Sequence, residues 1–292
     1  MGHAPPLVLE GDHLAVVVLP EHGARIHRIR AFDIDLLRTP DDPAAHAADP
    51  FFWGAYVMAP WCNRITPGPV QIAGRTIDLV PNFPDGTAIH GLVAARAWEL
   101  GGDGALRVVG EGDGWPWTFE VSLSATIEAQ TLTLAYALTN RSDEPMPAGL
   151  GLHPWFRRPL ELRVPAGRVY PANSCSPAIP EPAHDAFDLR STGTPQPGLD
   201  ATFAAVEPPV VELAWPGAGI RATLEAATSG GLLVAVATPP DIAAVAVEPQ
   251  THGPDGLRRL LQGEPDALRM LEPGTAMELK LRLTVERDGA YR

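Results

Sequence analysis

The side chains best suited to chemistry are a carboxylate and an imidazole that lie far apart in the 292-residue chain. Glu248 directly follows the apolar run 243–247, and a carboxylate at the end of a buried strand is unusual unless it is paired or reactive. His153 precedes Pro154, which favours extended backbone at the histidine. Both group types can be tuned towards neutral pH for general acid–base catalysis. Each is therefore a candidate for a reactive group.

Three other polar residues are more simply explained as structural when each is taken alone. Arg64 follows Asn63 and suits an ion pair at a strand end, His90 stands in a His-Gly turn, and Asp200 suits a turn. The sequence has no phosphate-binding loop, dinucleotide fingerprint, H-E-x-x-H, paired C-x-x-C or G-x-S-x-G motif. Any chemistry must therefore come from separate His, Arg, Asp and Glu residues that the fold brings together.

The elements that must position these residues are short strands. Apolar and polar residues alternate over 119–127 and again over 131–139, with a predicted hairpin loop at 128–130. Further strands are predicted at the following positions: 15–19, 232–237, 243–247 and 277–285. Helical patterns are scarce, apart from one or two turns over 254–261. We expect an all-β protein, a large antiparallel β-sandwich with few short helices, forming a single domain over 1–292.

Charge and composition exclude several classes of partner. The net charge is −13, which argues against a nucleic-acid partner and against docking on an anionic membrane. Cys62 and Cys175 are the only cysteines and cannot form a disulfide framework. The chain begins without a basic, apolar export signal, and its apolar runs are too short to span a bilayer. These features predict a cytoplasmic protein.

Five short motifs occur in an order that resembles the aldose 1-epimerase (galactose mutarotase-like) family. They are P-E-H-G-A-R-I at 20–26, C-N-R-I at 62–65, I-H-G-L at 89–92, G-L-G-L-H-P-W-F at 149–156, and V-E-P-Q-T at 247–251. Similar proteins show N-R-I, H-G, G-x-H-P-[YW]-F and E-P-x-T in this order. The resemblance covers about residues 7–286 and implies the mutarotase-like supersandwich fold.

The resemblance also implies a role for each candidate residue. Glu248 matches the general base and His153 the general acid, while Arg64, His90 and Asp200 match residues that bind the sugar. Ala201 stands where relatives often carry His or Asn, which predicts a different pocket wall. The implied reaction interconverts the α and β anomers of a free aldose without a cofactor or metal. The expected partner is a small-molecule sugar, and the expected state is a monomer or homodimer.

Alternatives remain open at this stage. A hexose-phosphate 1-epimerase would need extra basic residues, for which Arg25, Arg157 and Arg158 are candidates. A non-catalytic sugar-binding module would be expected to lack the acid or the base. The pair Arg258–Arg259 is most simply solvated charge. A set of aromatic residues near the motifs is expected to contact the sugar ring: Trp61, Trp155 and Phe203.

Overall fold

A computed structural model describes residues 5–42, 44, 50–172 and 179–287, and these form 25 strands, one α-helix and three short 3-10 helices. The predicted all-β class is confirmed. The helix α1 is Gly256–Gln262, and the 3-10 helices are Pro20–His22, Asp185–Phe187 and Pro216–Ala218. The strands, in chain order, are β1 (Leu7–Glu10), β2 (Leu14–Leu19), β3 (Arg25–Ala31), β4 (Ile34–Asp35), β5 (Ala55–Met58), β6 (Arg64–Ile65), β7 (Val70–Ile72), β8 (Arg75–Ile77), β9 (Ala88–Ile89), β10 (Glu99–Leu100), β11 (Leu106–Gly112), β12 (Trp115–Glu128), β13 (Thr131–Asn140), β14 (Met146–Ala148), β15 (Gly151–Arg157), β16 (Glu161–Arg163), β17 (Ala166–Tyr170), β18 (Glu181–Pro182), β19 (Asp200–Val206), β20 (Val211–Trp215), β21 (Ile220–Thr228), β22 (Leu233–Ala237), β23 (Ala244–Gln250), β24 (Arg269–Leu271) and β25 (Ala276–Arg287).

Two large antiparallel sheets dominate the structure. The first has eleven strands in the order β1-β2-β3-β5-β15-β23-β22-β19-β17-β18, with β4 paired to β3. The second has eight strands in the order β10-β11-β12-β13-β25-β21-β20-β16. Three two-stranded pairs, β6 with β9, β7 with β8 and β14 with β24, lie outside these sheets.

Alternating burial explains how the sheets form one core. Apolar residues of β12 and β13 alternate with less buried ones, as their sequence pattern predicts. Their inward side chains join those of the first sheet in a single large hydrophobic cluster. The apolar character of each strand's inner face therefore fixes the sandwich.

The central strands of the larger sheet are buried on both faces. The face that points away from the second sheet is therefore also covered. In β23, Val245 and Val247 belong to the main core, whereas Ala246 belongs to a second cluster that contains Tyr56 and Trp155. Successive residues of a strand point to opposite faces, so this second cluster marks the side away from the second sheet. Side chains in phase with Ala246 therefore point into a space enclosed by loops.

Two expectations need correction or limitation. Arg259, expected to be solvated, is 0% exposed, because α1 packs it against Tyr170, with its Cζ 4.5 Å from the ring centroid. Cys175 lies outside the described residues. Among the helices of the described ranges, none has the length and apolar character needed to cross a membrane.

The segment that carries His90 is held close to the larger sheet by its neighbours. β6 pairs with β9 immediately before it, and Gly91 forms a bridge to Ala59, whose carbonyl also accepts the Leu92 N–H at 2.8 Å. Gly91 has φ +74°, and a Cβ there would overlap the Ala59 carbonyl group. A glycine is therefore required both by backbone conformation and by space.

We expect Gly91→Ala to destabilise the protein by more than Gly74→Ala does. Gly74 has almost the same backbone angle, φ +76°, but no atom lies within 4 Å of the position that a Cβ would take there. The control thus carries only the left-handed strain of about 1–2 kcal/mol, and Gly91→Ala adds an overpacking cost of about 1–3 kcal/mol. Denaturant unfolding measures both; equal losses would contradict the close approach to Ala59.

Candidate active site

His153 and Glu248 lie opposite each other on neighbouring strands of the larger sheet. The register of β15 and β23 pairs Gly151 with Gln250 and Trp155 with Ala246, so His153 and Glu248 share a rung. Their side chains meet, with His153 Nε2 3.1 Å from Glu248 Oε1. The residues are only 4% and 3% exposed, and both are in phase with the outer-face cluster. Strand register therefore creates a buried imidazole–carboxyl pair.

The protonation of this pair follows from its burial. Loss of solvation, reinforced by the Asp200 carboxylate and opposed by the Arg64 guanidinium, raises the pKa of Glu248 to about 8. Loss of solvation, with a further contribution from the Arg25 cation, lowers the pKa of His153 to about 3. Among the protein groups alone, the pair at neutral pH therefore holds one proton, and burial favours its location on Glu248.

His90 approaches the pair from the covering loop and presents a fixed tautomer. Its ring is 4.9 Å from that of His153, edge to face. The Asn63 N–H donates to His90 Nδ1 at 3.2 Å, which places the hydrogen of a neutral ring on Nε2. Burial, followed by the nearby His153 and Arg64, holds the pKa of His90 well below its usual range. His90 is therefore a neutral hydrogen-bond donor.

Arg64 and two aspartates form the polar rim. Arg64 Nε donates to Asp85 Oδ2 at 2.8 Å, and its Nη1 is 3.9 Å from Asp200 Oδ2. Burial opposes the ionisation of Asp85, but hydrogen bonds from Thr87 and Arg64 lower its pKa below the ordinary value. Asp85 is absent from the motifs discussed above; its one sequence signal is the Asp-Gly turn at 85–86, which is common in loops without function. It orients the Arg64 guanidinium.

The five residues singled out from the sequence line one cavity of about 240 Å³: Arg64, His90, His153, Asp200 and Glu248. The aromatic expectation was only partly right, since Trp155 lines this cavity but Trp61 and Phe203 do not. Trp61 packs in the main core, 5.4 Å from the Trp115 ring, and Phe203 is 0% exposed on the inner face of its strand. The cavity's aromatic wall consists of Phe51, Phe52, Tyr56, Phe83 and Trp155. Most of this wall was missed because 51–56 has no marked strand or motif pattern.

Three of the residues that line the cavity are of types that can bind a metal ion. Ligand atoms of His90, His153 and Glu248 all lie within 4.8 Å of one another. A metal-bound histidine needs a lone pair on the ligating nitrogen and a hydrogen on the other, which usually donates to an acceptor. In His90 the Asn63 N–H is the donor to Nδ1, so Nε2 keeps its hydrogen. His90 is therefore arranged to donate a hydrogen bond rather than to ligate a metal.

We expect Glu248→Gln to stabilise the protein against unfolding at alkaline pH. Between pH 4.5, the ordinary pKa, and about 8, the unfolded chain loses this proton while the folded protein keeps it. Wild-type stability therefore falls as pH rises through this window, whereas the neutral amide loses nothing. The variant's gain should grow from near zero below pH 4.5 to a few kcal/mol above pH 8. The opposite pH dependence of His153 is shared by both proteins.

Denaturant unfolding from pH 4 to pH 9 measures this difference. Glu278→Gln is the control, because Glu278 is exposed on β25 and its replacement makes the same glutamate-to-glutamine change outside the site. A stability difference for Glu248→Gln that does not vary with pH would contradict the raised pKa of the buried carboxyl.

Comparison with known proteins identifies the family to which this sequence is similar. The sequence matches the family model of aldose 1-epimerase over residues 6–284. Among curated proteins, the uncharacterised protein YphB of Escherichia coli K12 is 29% identical over 114 residues, which are 38% of this chain and 39% of YphB. The match thus spans well under half of that relative.

Solved structures share the fold over almost the whole chain. A provisionally assigned aldose 1-epimerase from Escherichia coli K12 superposes with a TM-score of 0.78 at 22% identity, covering 97% of this chain and 99% of the other. The galactose 1-epimerase from Lactobacillus acidophilus NCFM gives 0.77 at 16% identity, with 97% and 94% covered. At these identities the likeness concerns the fold. Taken with the family match over residues 6–284, it means that the chain belongs to the aldose 1-epimerase family.

Proposed function

We propose that this protein interconverts the α and β anomers of a free, unphosphorylated aldose. The 3.1 Å contact between His153 Nε2 and Glu248 Oε1 at the cavity carries the proposal. The two oxygens that must exchange protons, O1 and O5, are bonded to the same carbon of the sugar. An imidazole and a carboxyl in contact can serve both. The cavity of about 240 Å³ has room for a single sugar ring, and it shares Arg64 and Asp200 with an adjoining open cavity of about 550 Å³.

The proposed reaction uses the one proton that the pair holds. Hydrogen bonds from sugar hydroxyls stabilise a charged Glu248, so its proton passes to His153 across their contact. The carboxylate then takes the proton from the C1 hydroxyl while the His153 imidazolium protonates O5. The C1–O5 bond breaks, O1 becomes the aldehyde oxygen, and C1 rotates about the C1–C2 bond. Reversal of the same transfers closes either anomer and restores the pair.

The rim residues fit the recognition of hydroxyl groups. Arg64 has donors beyond the Nε that Asp85 occupies, and the Asp200 side chain, 50% exposed, offers acceptors. His90 contributes its Nε2 hydrogen. The aromatic wall provides an apolar surface for the C–H groups of the ring. Donors, acceptors and apolar surface thus surround one sugar-sized space.

The charge of the cavity favours a neutral sugar over a phosphorylated one. Arg64 is the one cation among the described residues that line it, and it already pairs with Asp85, close to Asp200. The other basic candidates do not line the cavity: Arg25 is buried beneath Tyr56, Arg157 donates to the Leu37 carbonyl at 2.7 Å, and Arg158 is also absent from the lining. A phosphate would gain no unpaired cation from these groups. The presence of both acid and base likewise favours an enzyme over a binding module.

Polarimetry tests the proposal with freshly dissolved α-glucose, α-galactose, arabinose and xylose. We expect the wild-type protein to accelerate mutarotation of at least one of them. Glu248→Gln and His153→Asn should each reduce kcat by about 10²–10⁴, because each removes one proton-transfer group. His184→Asn, which changes an exposed histidine paired with Glu181, should retain wild-type kcat.

Two outcomes would replace the proposal. Saturable sugar binding without acceleration of any of these sugars would point to a binding module. Acceleration confined to hexose phosphates would point to a hexose-phosphate 1-epimerase and would contradict the charge argument.

We expect Asp85→Asn to raise KM about tenfold with a small change in kcat. Asp85 orients Arg64 through a charged hydrogen bond, and a tenfold effect corresponds to about 1.4 kcal/mol of sugar binding. Asp103→Asn is the matched control, because Asp103 pairs with Arg107 on the surface, outside the cavity. Steady-state kinetics on the preferred sugar measures both variants. A fall in kcat at constant KM would mean that Asp85 takes part in catalysis instead.

A further inference from the structure

A buried arginine lies directly behind the proposed acid–base pair. Arg25 is 1% exposed, and its guanidinium donates to the carbonyl oxygens of Trp53 at 2.9 Å and Pro50 at 2.7 Å. Its Cζ is 3.8 Å from the Trp53 ring centroid and 4.7 Å from that of Tyr56. The cation is thus held between two aromatic faces, an arrangement that stabilises a desolvated guanidinium.

The opposite face of Tyr56 supports the histidine. The Tyr56 and His153 rings are stacked, with centroids 4.6 Å apart and planes inclined by 20°. Strand register explains this arrangement: His153 pairs with Tyr56, and Ile26 pairs with Ala55, so Arg25 falls beside Tyr56. Arg25, Tyr56, His153 and Glu248 therefore lie along one rung that crosses four adjacent strands, β3, β5, β15 and β23.

This placement gives Arg25 an effect on the pair without contact with a sugar, because it does not line the cavity. Burial of a cation costs free energy of folding, so a buried arginine calls for a compensating role. The charged and titratable groups around the pair are His90 and Arg64 on the loop side, Asp200 at the rim, the buried Cys62 thiol near Glu248, and Arg25 behind Tyr56. Among these, Arg25 acts on the His153 side, where it opposes a second positive charge.

We infer that Arg25 is a positioning residue for catalysis: it holds Tyr56 flat against His153 and, in addition to burial, opposes the uptake of a second proton by the pair. The inference rests on the proposed epimerase function. A purely structural role would affect stability only. A role in the protonation of the pair would also move the pH dependence of the reaction, and this difference makes the two roles separable.

The test compares Arg25→Met, which removes the charge at similar length, with Arg25→Lys, which keeps it. Loss of a nearby cation favours every protonated state of the pair. Both limbs of the plot of kcat/KM against pH, the acidic and the alkaline, should therefore move to higher pH in Arg25→Met, by about half a unit or more. We expect kcat to fall about tenfold, because the His153 ring loses its support. Arg25→Lys should return both limbs towards their wild-type positions.

Arg259→Met is the matched control. Arg259 is also buried, also stacks on a tyrosine and also donates to backbone carbonyls, but its tyrosine, Tyr170, supports no catalytic group. We expect Arg259→Met to lower thermal stability without moving either limb. If Arg25→Met does not fold, Arg25→Gln, which also removes the charge but retains hydrogen-bond donors, replaces it.

A second readout does not need turnover. The NMR signals of the His153 ring are assigned as those that disappear in His153→Asn. Their chemical shifts follow proton release from the pair between pH 5 and pH 10. The midpoint should rise in Arg25→Met and stay near wild type in Arg25→Lys. An inactive wild-type protein would therefore refute the epimerase proposal while the spectra still decide the role of Arg25. A folded, charge-free variant with the wild-type midpoint and wild-type limbs would overturn the inference.

Discussion

The register between two central strands is the constraint on which the site depends. His153 and Glu248 are 95 residues apart, and only the pairing of β15 with β23 brings them to 3.1 Å. A shift of one residue would turn the Glu248 side chain to the other face of the sheet. The alternation of Val245 and Val247 into the main core prevents such a shift, because it would expose both valines to the cavity side. Core packing and site geometry are thus two consequences of one register.

The burial that this register imposes also determines the chemistry of the pair. A solvated carboxylate and imidazole would titrate independently near their ordinary pKa values. Here the pKa values of Glu248 and His153 cross, so one proton is shared across a wide pH range. The arrangement lowers the stability of the folded protein above pH 4.5, since an ionised Glu248 is disfavoured in the site. The folded protein is therefore less stable at the pH values at which the proposed reaction needs a proton that moves between Glu248 and His153.

Local sequence patterns are sufficient to predict the fold class, but they predict only part of the candidate site. The alternation over 119–127 and 131–139 predicts β12 and β13 closely, because each pattern reflects one strand's own inner and outer faces. Glu248 and His153 stand out for a similar reason, as polar groups in apolar surroundings. Asp85 has no such local signal, and Arg25, although it lies in the 20–26 motif, was a candidate only for binding a phosphate. Their importance arises from partners on distant segments, which the chain's own periodicity does not encode.

The Asp200 region shows how strand phase decides which sequence differences matter. Ala201, at the position where the family often carries His or Asn, was expected to change the pocket wall. It is 0% exposed, pairs with Val236 and packs in the main core, whereas Asp200 pairs with Ala237 on the cavity side. A substitution at 201 therefore alters the core between the sheets and not the wall of the cavity. Under the proposed function, selection among aldoses falls to residues that line the cavity, including Asp200, Phe51 and Phe52.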